Sequence, residues 1–164
     1  MGFFNKIKSF KNAITGGAAR VQLDTSDITF GEPFNVVVKV QVESADIQVE
    51  KVYLKIIGKE VIEIPDIDVT YESDGVKETD FEGKRVEKES ARASSVTTTL
   101  DMTVTEAQVL KANENYEWSV SVELPSEALA IYKGKYCQHT YFARASLDCF
   151  GNDPDSGWVE LEMK

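Results

Sequence analysis

Histidine occurs once in these 164 residues, cysteine twice and proline four times, and each scarcity removes a class of function. With His139 alone and only Cys137 and Cys149 beside it, a four-ligand zinc site has too few nitrogen and sulfur donors. The two cysteines lie near opposite ends of one apparent strand. At about 3.3 Å per residue they stand roughly 40 Å apart, beyond disulfide reach. Reduced thiols and a cytoplasmic location are the expectation. There is no apolar run of membrane-spanning length, no glycine loop that would cradle a phosphate and no nucleophile elbow. The start Met1-Gly2-Phe3-Phe4 does not read as a secretory signal, because Lys6, Lys8 and Lys11 break the apolar run.

Charge of one sign is also short. The chain carries 18 basic against 28 acidic residues, a net charge of −10. That balance repels phosphate backbones and argues against a nucleic-acid partner. The first 20 residues run the other way, with Lys6, Lys8, Lys11 and Arg20 and no acid. A basic head therefore precedes an acidic body.

What is present is period-two alternation. Val36, Val38, Val40 and Val42 alternate with polar residues across Phe34–Glu43, the pattern of a half-buried strand. The same alternation returns at Val52–Ile56, Val96–Met102, Tyr116–Leu124 and Val159–Met163, with shorter candidates at Arg20–Asp24 and Asp27–Phe30. The run Tyr136–Asp148 makes about eight strands. No helical pattern separates them, so parallel βαβ units are excluded. The fold class is all-β, an antiparallel β-sandwich of immunoglobulin-like or arrestin-like type over residues 18–164; a barrel is the alternative. Glu72–Arg92, rich in charge and holding Gly75 and Gly83, reads as a mobile loop or the tip of a long hairpin.

Residues 1–17 read differently. Phe3, Ile7, Phe10 and Ile14 recur at spacings of four, three and four, the signature of a short amphipathic helix that Gly16-Gly17 ends. Two roles fit it. Either the apolar side packs on the sandwich, or Phe3, Phe4, Ile7 and Phe10 with Lys6, Lys8 and Lys11 contact a partner or the inner face of a membrane peripherally.

Candidate chemistry is sparse. His139 shares strand parity with Cys137, Tyr141, Ala143, Ala145 and Leu147, which reads as packing on an apolar face; a Cys137–His139 dyad is the catalytic alternative. The oxygen-rich run Asp148–Asp155, continuing to Gly157, suits either a tight turn or calcium. It departs from the EF-hand pattern, since Gly157 stands at a ligand position. No enzyme activity, cofactor or metal is implied. Lys51, Tyr53 and Lys55, a cationic and aromatic outward face, are the candidate protein-binding residues.

Several segments carry a resemblance to a known family: Phe3-Phe4 with its basic neighbours, GGAARVQL at 16–23, FGEPFNVVVKVQ at 30–41, DIQVEKVYLKIIG at 46–58, NYEWSVSVELP at 115–125 and YFARASLDCFGNDPDSGW at 141–158. Together they resemble the arrestin-like bacterial sporulation-control proteins. The resemblance implies an arrestin-type sandwich and a non-catalytic scaffold or regulatory role. Such proteins carry two sandwiches in tandem, and this chain has room for one. The function expected is a protein-interaction module working through sheet edges and surface loops. An assembly subunit that forms homo-oligomers through its sandwich is the alternative, and a small metal-dependent enzyme the remote one.

Overall fold

A computed structural model describes residues 8–9, 14–15, 18–71 and 85–164. The elements are β1 (Lys8–Ser9), β2 (Ile14–Thr15), β3 (Ala19–Thr25), β4 (Phe34–Val42), β5 (Ile47–Tyr71), β6 (Arg85–Leu110), β7 (Asn115–Val122), β8 (Tyr132–Lys133), β9 (Cys137–Cys149) and β10 (Val159–Leu161). No helix occurs among the described residues. Every strand pairing within the two sheets is antiparallel. One sheet runs β1-β3-β4-β7, with β2 also on β3; the other runs β10-β9-β5-β6, with β8 also on β9. Two separate sheets make a sandwich, and the barrel alternative falls away.

Alternation explains the layering. On β4 the valines at 36, 38, 40 and 42 are buried, and so are Val21 and Leu23 of β3 on the same side of the sheet. Val52, Leu54 and Ile56 of β5 meet them from the second sheet, with Tyr141, Ala143, Ala145 and Leu147 of β9. Each fully buried branched side chain contributes about 1.5–3 kcal/mol relative to exposure. These valines and isoleucines also favour the pleated backbone that aligns them.

Three sequence expectations change. The helix over residues 3–14 does not hold where the segment is described: Lys8–Ser9 pairs with Asp24 and Thr25, and Ile14–Thr15 with Ala19 and Arg20. The outer edge of β3 offers main-chain groups that short strands satisfy, which overrides the local helical spacing. Phe3, Phe4, Lys6, Ile7, Phe10 and Lys11 lie outside the described residues. Asp27–Phe30 is not a strand. Ile28 is buried and makes a single bridge to Met163, while Phe30 N–H bonds the Lys164 carbonyl. Finally, β5 and β6 run far past the segments with clear alternation, to 25 and 26 residues.

The length of that hairpin is the fold's distinctive feature. β9 pairs with β5 only from Val49 to Ile62, whereas β6 continues alongside β5 to the pair Tyr71↔Arg85. The charged stretch Glu72–Arg92 thus lies partly in a strand, since Arg85–Arg92 belongs to β6 and flanks a long hairpin; residues 72–84 lie outside the described residues. Pro65 is tolerated inside β5 because the register shifts between Ile64 and Ile67, where Asp66 takes φ 54°. A bulge is where a strand accommodates a residue without a donor.

A second irregularity falls at Gly58. Between Gly58 and Lys59 the partner register skips Thr97, and the backbone comes close to its neighbours. A Cβ at Gly58 would lie 2.9 Å from Thr97 Oγ1, 2.9 Å from Tyr141 Cε1 and 3.1 Å from His139 Nε2. We expect Gly58→Ala to destabilise the fold by about 1–3 kcal/mol, the usual cost of overpacking. Urea unfolding measures it, and an unchanged midpoint would show that the bulge relaxes freely.

Candidate functional site

His139 is fully buried on the inner face of β9 and is committed to the fold. Its Nδ1 lies 3.1 Å from the Ala130 carbonyl, which can only accept, so Nδ1 donates. Nε2 then accepts from the Thr97 hydroxyl at 2.7 Å. The ring meets Tyr141 edge-on at 5.0 Å and stacks near Tyr132 at 6.0 Å. Tyr141 donates to the Leu129 carbonyl at 2.7 Å. The two side chains thereby tie the segment before β8 onto β9.

Cys137 does not join His139 in a dyad. Its sulfur lies 3.3 Å from Tyr132 Oη and 3.8 Å from Glu60 Oε1, and Tyr132 also donates to Glu60. The contacts with Cys137 and then Glu60 push the Tyr132 hydroxyl above its ordinary range. Cys149, at the other end of β9, is pushed up to about 11 by burial, with Asp153 and Asp148 adding to it. A thiol held there is protonated at neutral pH and a poor nucleophile. Both cysteines are free.

The oxygen-rich run closes a turn. Asp153 Oδ1 accepts from Cys149 N–H at 3.0 Å and Asp155 Oδ1 from Gly157 N–H at 2.7 Å. Ser156 is buried, and its hydroxyl accepts from Ala145 N–H at 3.0 Å. Gly151 and Gly157 take φ of 105° and 68°, a region glycine enters without strain. These bonds give the turn reading its physical content. Among the described residues no group of three or more His, Cys, Asp or Glu is arranged to hold a metal.

What remains is surface, in two adjoining parts. The first is the edge of β6, which ends its sheet and has no second neighbour among the described residues. Strand edges are ordinarily blunted by charge, proline, shortness or bulges. β6 is 26 residues long, and from Ala93 to Thr105 it holds one charge, Asp101, and no proline. Its register skips fall at Thr97 and Val104, leaving Thr98–Thr103 in unbroken register with Gly58–Tyr53. The inner side chains there are incompletely covered: Leu100, Met102 and Val104 are half-buried, whereas Leu54 and Ile56 one strand inward are fully buried. The consecutive strand β7 edges the other sheet and leaves Tyr116 and Trp118, stacked at 5.7 Å, half-buried as well.

The second part is the outer face of the β10-β9-β5-β6 sheet. The residues singled out from sequence lie on β5 there. Lys51 is exposed, and its Nζ stands 5.5 Å from the centroid of Tyr53. Lys55 bridges to Asp101 at 3.5 Å. Tyr53 and Lys55 are half-buried. Sequence reading missed their neighbours on the adjacent strand, Phe142 and Arg144, and Trp158 beside them. The parity that assigns Tyr141 and Ala143 to the core assigns Phe142 and Arg144 outward; the signal existed, but the cross-strand register was needed to place it.

No protein-family model matches the chain, and no curated protein matches it. The fold is that of the arrestin-like β-sandwich proteins, as the motif resemblance implied. Among solved structures, the chain is similar to Spo0M, a sporulation control protein from Bacillus subtilis, with a TM-score of 0.59 at 16% identity. The match covers 91% of this chain and 50% of the Spo0M chain, so the chain spans half the length of that protein. At this identity the likeness is one of fold. No helix among the described residues is long and apolar enough to cross a membrane.

Replacing His139 tests its assignment to the fold. We expect His139→Ala to cost about 1–3 kcal/mol, from lost packing and two lost hydrogen-bond partners, measured by urea unfolding. A variant equally stable to urea would contradict the structural role.

Proposed function

We propose that this chain is a non-catalytic protein-interaction module that captures an extended segment of a partner along the open edge of β6. The observation that carries the reading is the unbroken, nearly uncharged stretch Thr98–Thr103, with half-buried Leu100 and Met102 on its inner side. An added strand gains affinity from the main-chain donors and acceptors of β6, and specificity from alternate side chains. Those facing inward would cover Leu100 and Met102; burying apolar surface there supplies the driving force. The two-sheet sandwich supports the reading, because an uncovered strand edge in such a fold is a ready template for an added strand. A scaffold or regulatory role follows from such capture.

The test is site-specific photo-crosslinking in the native cell, with the probe at Thr99, at Thr103 or at Ser119 on β7. A protein partner should crosslink from Thr99 and Thr103. Of the neighbours Thr98 and Thr99, antiparallel geometry gives one an N–H toward β5 and the other an N–H toward the open side. Of the variants Thr98→Pro and Thr99→Pro, each carrying the probe at Thr103, one should therefore keep the thermal midpoint of the parent while losing the crosslink. Crosslinking that persists in a folded proline variant, or arises only from Ser119, would contradict edge capture.

A further inference from the structure

The outer face of the β10-β9-β5-β6 sheet can be read rung by rung from its register. At Lys51 the neighbours are Glu106 on β6 and Asp148 on β9, so the cation is flanked by acids on both sides. Two rungs on, Lys55 faces Asp101 on one side but Arg144 on the other. Like charges directly opposite across strands are unfavourable. Asp101 pairs with Lys55 at 3.5 Å, which leaves Arg144 without a carboxylate among the described residues. Further along, Lys59 lies between Val96 and Thr140 and has no opposite acid on its rung.

Arg144 is held in place by contacts other than ion pairing. Its guanidinium carbon stands 4.8 Å over the Trp158 ring, and Nε is buried without a hydrogen-bond partner. Trp158 itself is 38% exposed, an aromatic plate on the solvent side of the sheet. A stacked guanidinium that makes no ion pair with a carboxylate among the described residues is preorganised for a bidentate carboxylate. Between the Arg144 and Lys59 rungs lies an apolar pair, Ile57 opposite Phe142, both half-buried on this outward face. Glu160, beyond Phe142 on β10, is the acid on that middle rung and makes no ion pair with Arg144.

We propose that this face is a docking site for an acidic, extended peptide segment of a protein partner. The segment has one carboxylate on Arg144, an apolar side chain over Ile57 and Phe142, and a second carboxylate at Lys59. Along a strand, alternate residues on one face recur every 6.5 Å or so, so the matching pattern is acid, apolar, acid at positions i, i+2 and i+4. The occupant is anionic because Arg144 and Lys59 stand on this face with no carboxylate opposite them on their rungs of β5 and β9, in a chain whose net charge is −10 overall. Arg, Trp and Phe grouped at the centre of a patch are also the residue types that dominate interface energetics. This site does not depend on strand addition at β6, which lies on the sheet's edge and is read through main-chain groups.

The probe is a synthetic peptide, Gly-Ser-Glu-Ser-Leu-Ser-Glu-Ser-Gly with blocked ends, titrated into the full chain while the arginine Nε–H, Trp158 indole and backbone amide signals are followed by NMR. The proposal expects saturable shifts at Arg144, Trp158 and Phe142. It expects weakening by roughly tenfold in Arg144→Gln and in Lys59→Gln, the loss of one charge-assisted contact each. Lys39→Gln, on β4 of the other sheet and paired with Asp24, should bind as the parent does. Thermal midpoints of the variants are measured alongside, and Lys59→Gln carries the test if Arg144→Gln fails to fold. The isomer with both acids adjacent and the leucine displaced should bind several-fold more weakly. Equal affinity for the isomer, equal shifts with inorganic sulfate alone, or shifts confined to β6 amides would each overturn the proposal; the last would favour the edge instead.

Discussion

The structure depends on one strand having two partners. From Val49 to Ile62 the backbone of β5 is paired with β6 on one side and β9 on the other, so its main-chain groups are satisfied within the sheet. That is the condition for burying Val52, Leu54 and Ile56 completely, because unsatisfied main-chain groups in the core would cost more than the side chains return. β9, also central, can for the same reason bury Tyr141, Ala143, Ala145 and Leu147. Among the described residues β6 has only one partner strand. Its inner residues stay half-covered and its outer main-chain groups meet no strand among the described residues, so the interior strands hold the fold together while the edge stays open.

Tertiary packing also explains why the side chains that sequence composition singled out are engaged elsewhere. A histidine and a cysteine two apart on one strand face can form a reactive pair only if neither has a stronger claim. Here the bulge at Thr97 turns a hydroxyl onto His139, and Glu60 with Tyr132 occupies Cys137. The acidic turn after β9 is likewise consumed by its own N–H groups. Polar side chains that looked available in one dimension already have side-chain or main-chain partners in three.

Much of the fold was legible because period-two alternation maps directly onto burial. Val36–Val42 gave β4, and the parity of His139 with Tyr141 and Ala143 placed that histidine inside before any register was known. The overreach came where local and tertiary signals compete. Phe3, Ile7, Phe10 and Ile14 have helical spacing, yet the described pieces of that segment pair with the edge of β3. The full extent of β5 and β6 was hidden by Pro65 and by charge, both of which read as loop signals, whereas a bulge at Asp66 and solvent on both faces of a ribbon accommodate them. The outward face was half legible: Lys51, Tyr53 and Lys55 follow from alternation along one strand. Arg144 and its surplus of charge appear only once β9 is laid beside β5, because opposition across strands is a property of register and not of sequence spacing.

Amide hydrogen exchange along β6 addresses the central claim most directly, since an open edge is a statement about which N–H groups are bonded. Across Thr98–Thr103, resolved residue by residue by NMR, protection should alternate. Amides directed at β5 should exchange slowly with the core strands, and the intervening amides should exchange at rates near those of exposed loops. Uniform slow exchange at both sets in the isolated protein would mean that the edge is already covered, and the reading of this chain as a module with an open strand would not stand.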